Sequence, residues 1–398
     1  MTTTNPPAYI AFILNRLTSE GHECYLVGGS VRDSVMNRPI HDWDLATSAK
    51  PVEVAGLFPK TVLTGEKFGT VTVVLPECIV EVTTFRTESE YTNGRHPEEV
   101  EFITNLNEDL SRRDFTINAM AKSLDGEVID PFGGVADIKD GIIRCVGGPN
   151  TRFSEDALRM YRALRFSAEL GFIIEAETLQ AIYANIGLAS QISSERIRVE
   201  LEKILMSQRP EVAGEMIKIG LLGRFITISG KSPDGIERIA DLPAEEMLRW
   251  SAFCGILIKR EYIKSATDFL HNLHIDGKTI KTCQRALEIP VFSADRIEIK
   301  RLLSKNDTAV VRCAAAVGDV LNKTDKKNLL ETTDIILKSG ECFTLCELAI
   351  KGKDLLELGH ASGKELGETL HKLLDHVIKN PQDNKCEKLL DIVEIKKI

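Results

Sequence analysis

Tyr25 to Thr47 reads YLVGGSVRDSVMNRPIHDWDLAT, and the fold of the N-terminal part turns on it. An apolar run, Tyr25-Leu26-Val27, ends at Gly28-Gly29. Arg32 and Asp33 follow, and then Asp42 and Asp44, one residue apart in a second strand-like run. Residues i and i+2 of a strand point to the same face. Two carboxylates on one face repel each other unless a cation lies between them. The pair therefore predicts a divalent metal, with Asp42 and Asp44 as ligands and as catalytic groups. Mg²⁺ takes oxygen ligands and keeps waters, which suits two carboxylates plus a triphosphate. Glycines at a strand end let backbone N–H groups approach phosphate. Metal, phosphate and arginine together point to nucleotidyl transfer.

Outward from this stretch, residues 1–145 read as α/β. The expected strands are Cys24–Gly28, Asp42–Leu45, Thr70–Leu75, Ile79–Phe85 and Val100–Ile103; TVTVVL and CIVEVTTF carry the β-branched residues that strands favour. Helices are expected from Pro51, where proline suits a first helical position, and over Glu108 to Ala121. From Ser154 the pattern turns helical, with no strand expected except near Ile226. Ser154 reads as an N-cap and Gly171 as a C-cap, and a further helix is expected from Glu195 to Met206. Breaks at Ser207–Pro210, Ser229–Gly235 and Asn380–Asn384 punctuate the rest.

Composition excludes some classes. The chain has 398 residues, 43% hydrophobic and 27% charged, as folded domains do. It has no apolar run of membrane-spanning length and no N-terminal leader pattern, so no membrane association and a cytoplasmic location are expected. The nine cysteines are scattered without zinc-ligand pairs, which fits reduced thiols. The net charge of −9 does not exclude RNA, because from residue 301 onward sixteen Lys or Arg balance sixteen Asp or Glu, and local basic patches suffice for binding. Gly230-Lys231-Ser232 and Gly277-Lys278-Thr279 resemble the end of a P-loop, but neither has the glycine that motif requires five residues earlier.

Two further constellations carry chemistry. Arg112-Arg113-Asp114 opens the run RRDFTINA, and a guanidinium can grip a phosphate through two hydrogen bonds. In SEDALRMYRALRF, Asp156, Arg159, Arg162 and Arg165 recur every three residues and would form one slanted row on a helix. Ion pairing along that row is one reading; base recognition is the other. Cytosine and adenine both present an exocyclic amine beside a ring-nitrogen acceptor. A carboxylate accepts from the amine and an arginine donates to the ring nitrogen. Uracil and guanine present the opposite polarity, so an Asp–Arg pair selects C and A without a template. Glu81, in the strand IVEVTTF, is a candidate third carboxylate for the metal.

The ordered set GGSVRD, DWD, RRDFTINAMA, DPFGG, EDALRMYRALRF and SSERIRVELEKIL, spanning Tyr25 to Met206, resembles the class II tRNA nucleotidyltransferase family, which includes CCA-adding enzymes and bacterial poly(A) polymerases. The resemblance implies an α+β protein: a polymerase-beta-like head with a five-stranded mixed sheet and helices, followed by an all-helical neck, body and tail. The corresponding spans are 1–145, 146–207, 208–325 and 326–398. Carried over by position, the metal pair falls on Asp42 and Asp44. Nucleotide contacts fall on Gly29, Arg32 and Arg113, and base reading on Asp156 and Arg159 with Arg162 and Arg165 beside them. The implied activity is template-independent addition of CCA to the tRNA 3′ end from CTP and ATP with Mg²⁺. The alternatives are an A-adding tRNA nucleotidyltransferase and a bacterial poly(A) polymerase. No protein partner is evident.

The polar stretch RTESEYTNGRHPE, from Arg86 to Glu98, reads as a loop with a turn at Asn93-Gly94; the resemblance implies that it helps switch from C to A addition, with Arg95 and His96 as actors. Lys351-Gly352-Lys353 and the segment LGHASGKELGETLHKLLDHVIKNP resemble the family's tail, a glycine-bounded turn before an amphipathic helix that could hold tRNA phosphate.

Overall fold

A computed structural model describes residues 6–88, 100–227, 230–322, 328–358 and 362–396. The chain divides into two compact units, residues 1–204 with 215–221, and residues 205–214 with 222–398.

The first unit is built on a sheet of strands β1 (Cys24–Val27), β2 (Asp44–Thr47), β3 (Thr61–Gly65), β4 (Thr70–Val74) and β5 (Ile79–Thr84), with β6 (Arg86–Glu88) and β7 (Val100–Phe102) paired apart from it, and β8 (Ala121–Lys122) and β9 (Val128–Ile129) at one edge. The sheet order is β3-β4-β5-β2-β1-β8-β9. All neighbours are antiparallel except β2 and β5, which run parallel with Asp44 opposite Glu81. Alternation along β4 and β5 sends Val71, Val73, Val80 and Val82 into the core. There they meet Ile10, Ile13, Leu14 and Leu17 of helix α1 (Ala8–Ser19). Val27, Ala46, Phe85, Leu106 and Leu110 form a second apolar cluster. Two clusters drawing on the central strands explain why Leu45, Ala46 and Thr47 are all buried, without the alternation of a half-exposed strand.

The sheet has seven strands where five were implied. The runs of β8 and β9 are two residues each, too short to leave a period in the sequence. Val100–Phe102 leaves the main sheet to pair with β6. The helix expected over Glu108 to Ala121 is broken. Helix α4 spans Leu106–Ser111, capped by Asn105; a single 3₁₀ turn covers Thr116–Asn118, and the chain then enters β8. A parallel pair, β10 (Ile142–Ile143) and β11 (Ile173–Ile174), adds a strand after Ser154 where none was expected. Ile226 lies in a bend, not a strand.

The remaining helices of this unit are α2 (Gly29–Val35), α3 (Pro51–Leu57), α5 (Gly134–Asp140), α6 (Pro149–Glu155), α7 (Leu158–Leu170), α8 (Ala176–Ala184) and α9 (Ser194–Met206), whose last two residues belong to the second unit. Ser154 is not an N-cap: it lies inside α6, and the break falls at Asp156, with φ −143°. The Asp156 side chain accepts from Leu158 N at 3.0 Å and so starts α7. Gly171 ends α7 with φ 77°, as expected of a C-cap glycine.

The second unit is helical in its described residues. Its longest packed pair is Glu246–Lys259 against Thr308–Leu321, where a Cβ on Gly255 would stand 3.0 Å from Val317. Gly277–Thr279 is the first turn of a helix capped by Asp276, an ordinary helix start. Nearer the C-terminus the helix Lys364–Lys379 buries Leu373, Leu374, Val377 and Ile378 against Leu348, Leu355 and Leu389. Among the described residues no helix is long and apolar enough to cross a membrane. All nine cysteines are free thiols.

Candidate active site

A cavity of about 920 Å³ opens in the first unit. The residues assigned from the sequence to metal, phosphate and base line it: Gly29, Arg32, Asp42, Asp44, Arg113, Asp156, Arg159, Arg162 and Arg165. Glu81 lines it too. Arg95 and His96 fall outside the described residues.

At one end stand the carboxylates. Asp44 opens β2, and Asp42 lies just before the strand, not within it. Asp44 is reachable by solvent from the cavity yet crowded by protein atoms. The lost hydration raises its carboxyl above the usual range; Glu81 and Asp42 push the same way, and Arg113 opposes them. Carboxylates that repel one another at a cavity wall, all oxygen donors, fit a hard divalent cation whose remaining ligands come from phosphate and water. Among the described residues no group of three His, Cys, Asp or Glu side chains could hold a metal ion.

The glycine turn lies beside them. Gly28 has φ 68°, and a Cβ there would approach Arg113 Nη1 to 3.3 Å. Both facts require glycine at this position. The approach lets Arg113 lie along the strand end, where its Nε is buried without a hydrogen-bond partner among the described residues. Arg32, on α2, donates to Asn118 Oδ1 at 2.9 Å and pairs with Asp33.

At the other end the α6–α7 break governs the geometry. Asp156 and Arg159 do not pair with each other. Asp156 accepts from Arg196 at 2.7 Å, while Arg159 pairs with Glu155 at 2.5 Å and donates to the Arg112 carbonyl at 2.9 Å. Arg162 binds Asp114 through two nitrogens, at 2.6 and 2.7 Å. Asp114 is buried, which alone would raise its pKa; Arg162 and Arg159, with the Phe115 amide, draw it down to about 2. Arg165 pairs with Glu200 and Glu169, both at 2.6 Å. The Phe166 ring lies between three guanidiniums, with Arg165 at 4.0 Å and Arg32 and Arg162 at 5.3 Å from its centroid. Ion pairing along the row thus exists, but with partners outside it, so each arginine is held rather than left to sample solvent.

Arg112 and Asp114, singled out from the sequence without an assigned contact, also line the cavity, and the sequence reading missed Arg86, Asn118, Phe166 and Arg196 as cavity residues. Asp114 and Asn118 sit in RRDFTINA and Arg196 in SSERIRVELEKIL, so the motifs contained them. Their roles were not legible because their partners are distant in sequence.

Similarity to known proteins agrees with this geometry. Family models match for a poly A polymerase head domain over residues 24–144, an RNA- and SrmB-binding site of polymerase A over 171–226, and a tRNA nucleotidyltransferase domain 2 over 243–393. The CCA-adding enzyme of Bacillus velezensis is 40% identical over 94% of both chains. The chain belongs to the CCA-adding enzyme family. The CCA-adding enzyme of Enterococcus faecalis is 37% identical over 96% of this chain and 94% of its own. The crystal structure of the Bacillus stearothermophilus CCA-adding enzyme in complex with CTP matches with a TM-score of 0.78 and 32% identity, covering 99% of each chain. The Thermotoga maritima CCA-adding enzyme complexed with tRNA shares the fold, with a TM-score of 0.74 at 22% identity. CCA-adding enzymes are tRNA nucleotidyltransferases that use divalent metal, which fits the carboxylate end of the cavity.

Proposed function

We propose that this chain builds or repairs the 3′-terminal CCA of tRNA from CTP and ATP without a template, releasing pyrophosphate. One observation carries the reading: Asp42, Asp44, Asp156 and Arg159 line one cavity together with Arg32 and Arg113. That set offers a metal-bound triphosphate its oxygen ligands and cations, and a base its acceptor and donor.

In this reading Asp42 and Asp44 hold Mg²⁺, which when bound orients the attacking 3′-hydroxyl and neutralises charge growing on the leaving pyrophosphate. The turn at Gly29 and the guanidiniums of Arg32 and Arg113 take the triphosphate. Asp156 accepts from the exocyclic amine of C or A, and Arg159 donates to the ring nitrogen. Arg162 and Arg165 hold the wall behind them through Asp114 and Glu200. Little covalent chemistry falls to the protein; positioning and charge stabilisation supply the rate. We place catalysis in residues 1–145, base recognition in 146–207, a helical body in 208–325 and tRNA contact in the helical tail (326–398).

The test is incorporation with Mg²⁺ on three tRNA transcripts, ending before CCA, after C and after CC, each given CTP, ATP or both. Ordered C, C, A addition that then stops is expected. A alone on the CC end would indicate an A-adding enzyme, and continued A addition to any RNA a poly(A) polymerase.

A further inference from the structure

Asp109 lies one turn before the arginine pair, on α4, and is 1% exposed. It does not line the cavity. Its Oδ1 accepts from Arg112 Nε at 3.1 Å and Nη2 at 2.7 Å; its Oδ2 accepts from Arg113 Nη2 at 3.1 Å. The backbone N–H of Arg86, the first residue of β6, also donates to Oδ1, at 3.3 Å. One buried carboxylate therefore fixes two adjacent guanidiniums. Adjacent residues after a helix end would otherwise diverge.

Both arginines line the cavity and make different contacts there. Arg113 reaches the glycine turn, its Nη1 within 3.3 Å of the position a Gly28 Cβ would take. Arg112 offers its carbonyl to Arg159 Nη2 at 2.9 Å. We infer that Asp109 is a positioning residue for the nucleotide site, an anchor that sets the phosphate-side Arg113 through one oxygen while its other oxygen holds Arg112. The inference rests on the reading of the cavity as a nucleoside triphosphate site.

The chemistry requires an anion at this place. Burial alone would raise the Asp109 carboxyl, but Arg112 and Arg113 outweigh it and hold it below the usual range. An ionised carboxylate accepts through both oxygens at once. An amide of the same shape accepts through one and presents hydrogens from the other, so it cannot hold both guanidiniums.

The experiment compares wild type, Asp109→Asn, Arg113→Ala and the double variant in single-nucleotide incorporation, with CTP on a tRNA transcript ending before CCA and with ATP on one ending in CC. Equilibrium binding of each nucleotide is measured alongside. Asp109→Asn is expected to lower kcat/KM by about 10–100-fold, the usual cost of removing an outer-shell partner. The loss should fall on CTP and ATP alike and mainly on KM for the nucleotide, with KM for tRNA unchanged. In the Arg113→Ala background the same substitution should cost under about threefold, because the residue it acts through is gone. Equal losses in both backgrounds, a loss confined to one nucleotide, or wild-type kinetics for Asp109→Asn would each overturn the inference. If Asp109→Asn does not fold, Asp109→Ser, which leaves room for water between the guanidiniums, takes its place. Loss of the native melting transition in both would show a folding residue and overturn it as well. A wild type that incorporates neither nucleotide would instead refute the proposed activity.

Discussion

In the cavity wall Arg112, Arg113, Arg159, Arg162 and Arg165 each face a carboxylate. In the second unit Arg249, more deeply buried at 1% exposure, pairs with no carboxylate among the described residues. It donates instead to the carbonyls of Leu205, Ser207, Leu242 and Pro243, and burial lowers its pKa. The same side chain thus solves two problems. Neutral carbonyls take four of its five N–H donors and tie three segments together, which is a structural knot. Carboxylates orient the cavity arginines and offset their charge, while the guanidiniums still line the cavity.

The comparison predicts opposite phenotypes, and the largest effect lies at the carboxylate end. Asp42→Ala and Asp44→Ala should each lower incorporation by more than about 10³-fold, some 4 kcal/mol of transition-state stabilisation. The melting temperature should not fall, because Asp44 is held against hydration loss and two like charges. Substantial turnover in both variants, measured by radiolabelled nucleotide incorporation, would remove the metal assignment. Chelation of divalent ions should match these losses in the wild type, and readdition of Mg²⁺ should restore activity.

Arg249→Leu should do the reverse. Stranding four carbonyls, at about 1–3 kcal/mol for a buried unsatisfied group and with partial relief from water, gives a loss of about 3–5 kcal/mol. That corresponds to a melting-temperature drop of roughly 10 °C for a unit of this size. Residual folded enzyme should keep its nucleotide KM. Arg113→Ala should behave in mirror image, with a large rise in nucleotide KM and melting within about 2 °C of wild type. A calorimetric scan showing equal destabilisation of both variants would break the distinction drawn here.

What the sequence could and could not disclose follows the same division. Asp42, Asp44 and the glycine turn were legible because local spacing alone brings them together. The β-branched runs of β4 and β5 were legible because alternation marks a half-buried strand. The α6–α7 break was not, since Ser154 and Asp156 both suit a cap and only tertiary contact decides between them. The partners of the cavity arginines were hidden for a related reason. Arg162 meets Asp114 and Arg165 meets Glu200 across 48 and 35 residues, and no periodicity encodes such distances. Local chemistry reads as motif; its support reads only in space.

Base choice is a smaller effect and tests the far end of the cavity. Asp156 accepts from Arg196 and from Leu158 N, so it stands as a fixed acceptor facing donors only. Asp156→Ala should reduce the preference for CTP over UTP by roughly 10–100-fold, or about 1.4–2.8 kcal/mol, in competition assays on a transcript ending before CCA. Unchanged rejection of UTP and GTP would leave Asp156 a helix cap and no more.

The smallest effect concerns the buried Asp114–Arg162 pair and is read through pH. Folding draws the Asp114 carboxyl from a usual 3.8 to about 2, so the unfolded chain binds its proton more readily. The stability this contributes is complete above about pH 4 and is lost as pH falls through about 2. A depression of this size is worth about 2 kcal/mol. Asp114→Asn removes the titration, and it also leaves Arg162 without its partner, so the variant should be less stable than wild type at pH 5. The gap in unfolding free energy should then narrow by about 2 kcal/mol between pH 5 and pH 2 in denaturant melts. A gap that stays constant across that window would mean that Arg162 does not hold the carboxyl ionised. The cavity wall would then rest on packing around Phe115 and Phe166 rather than on charge.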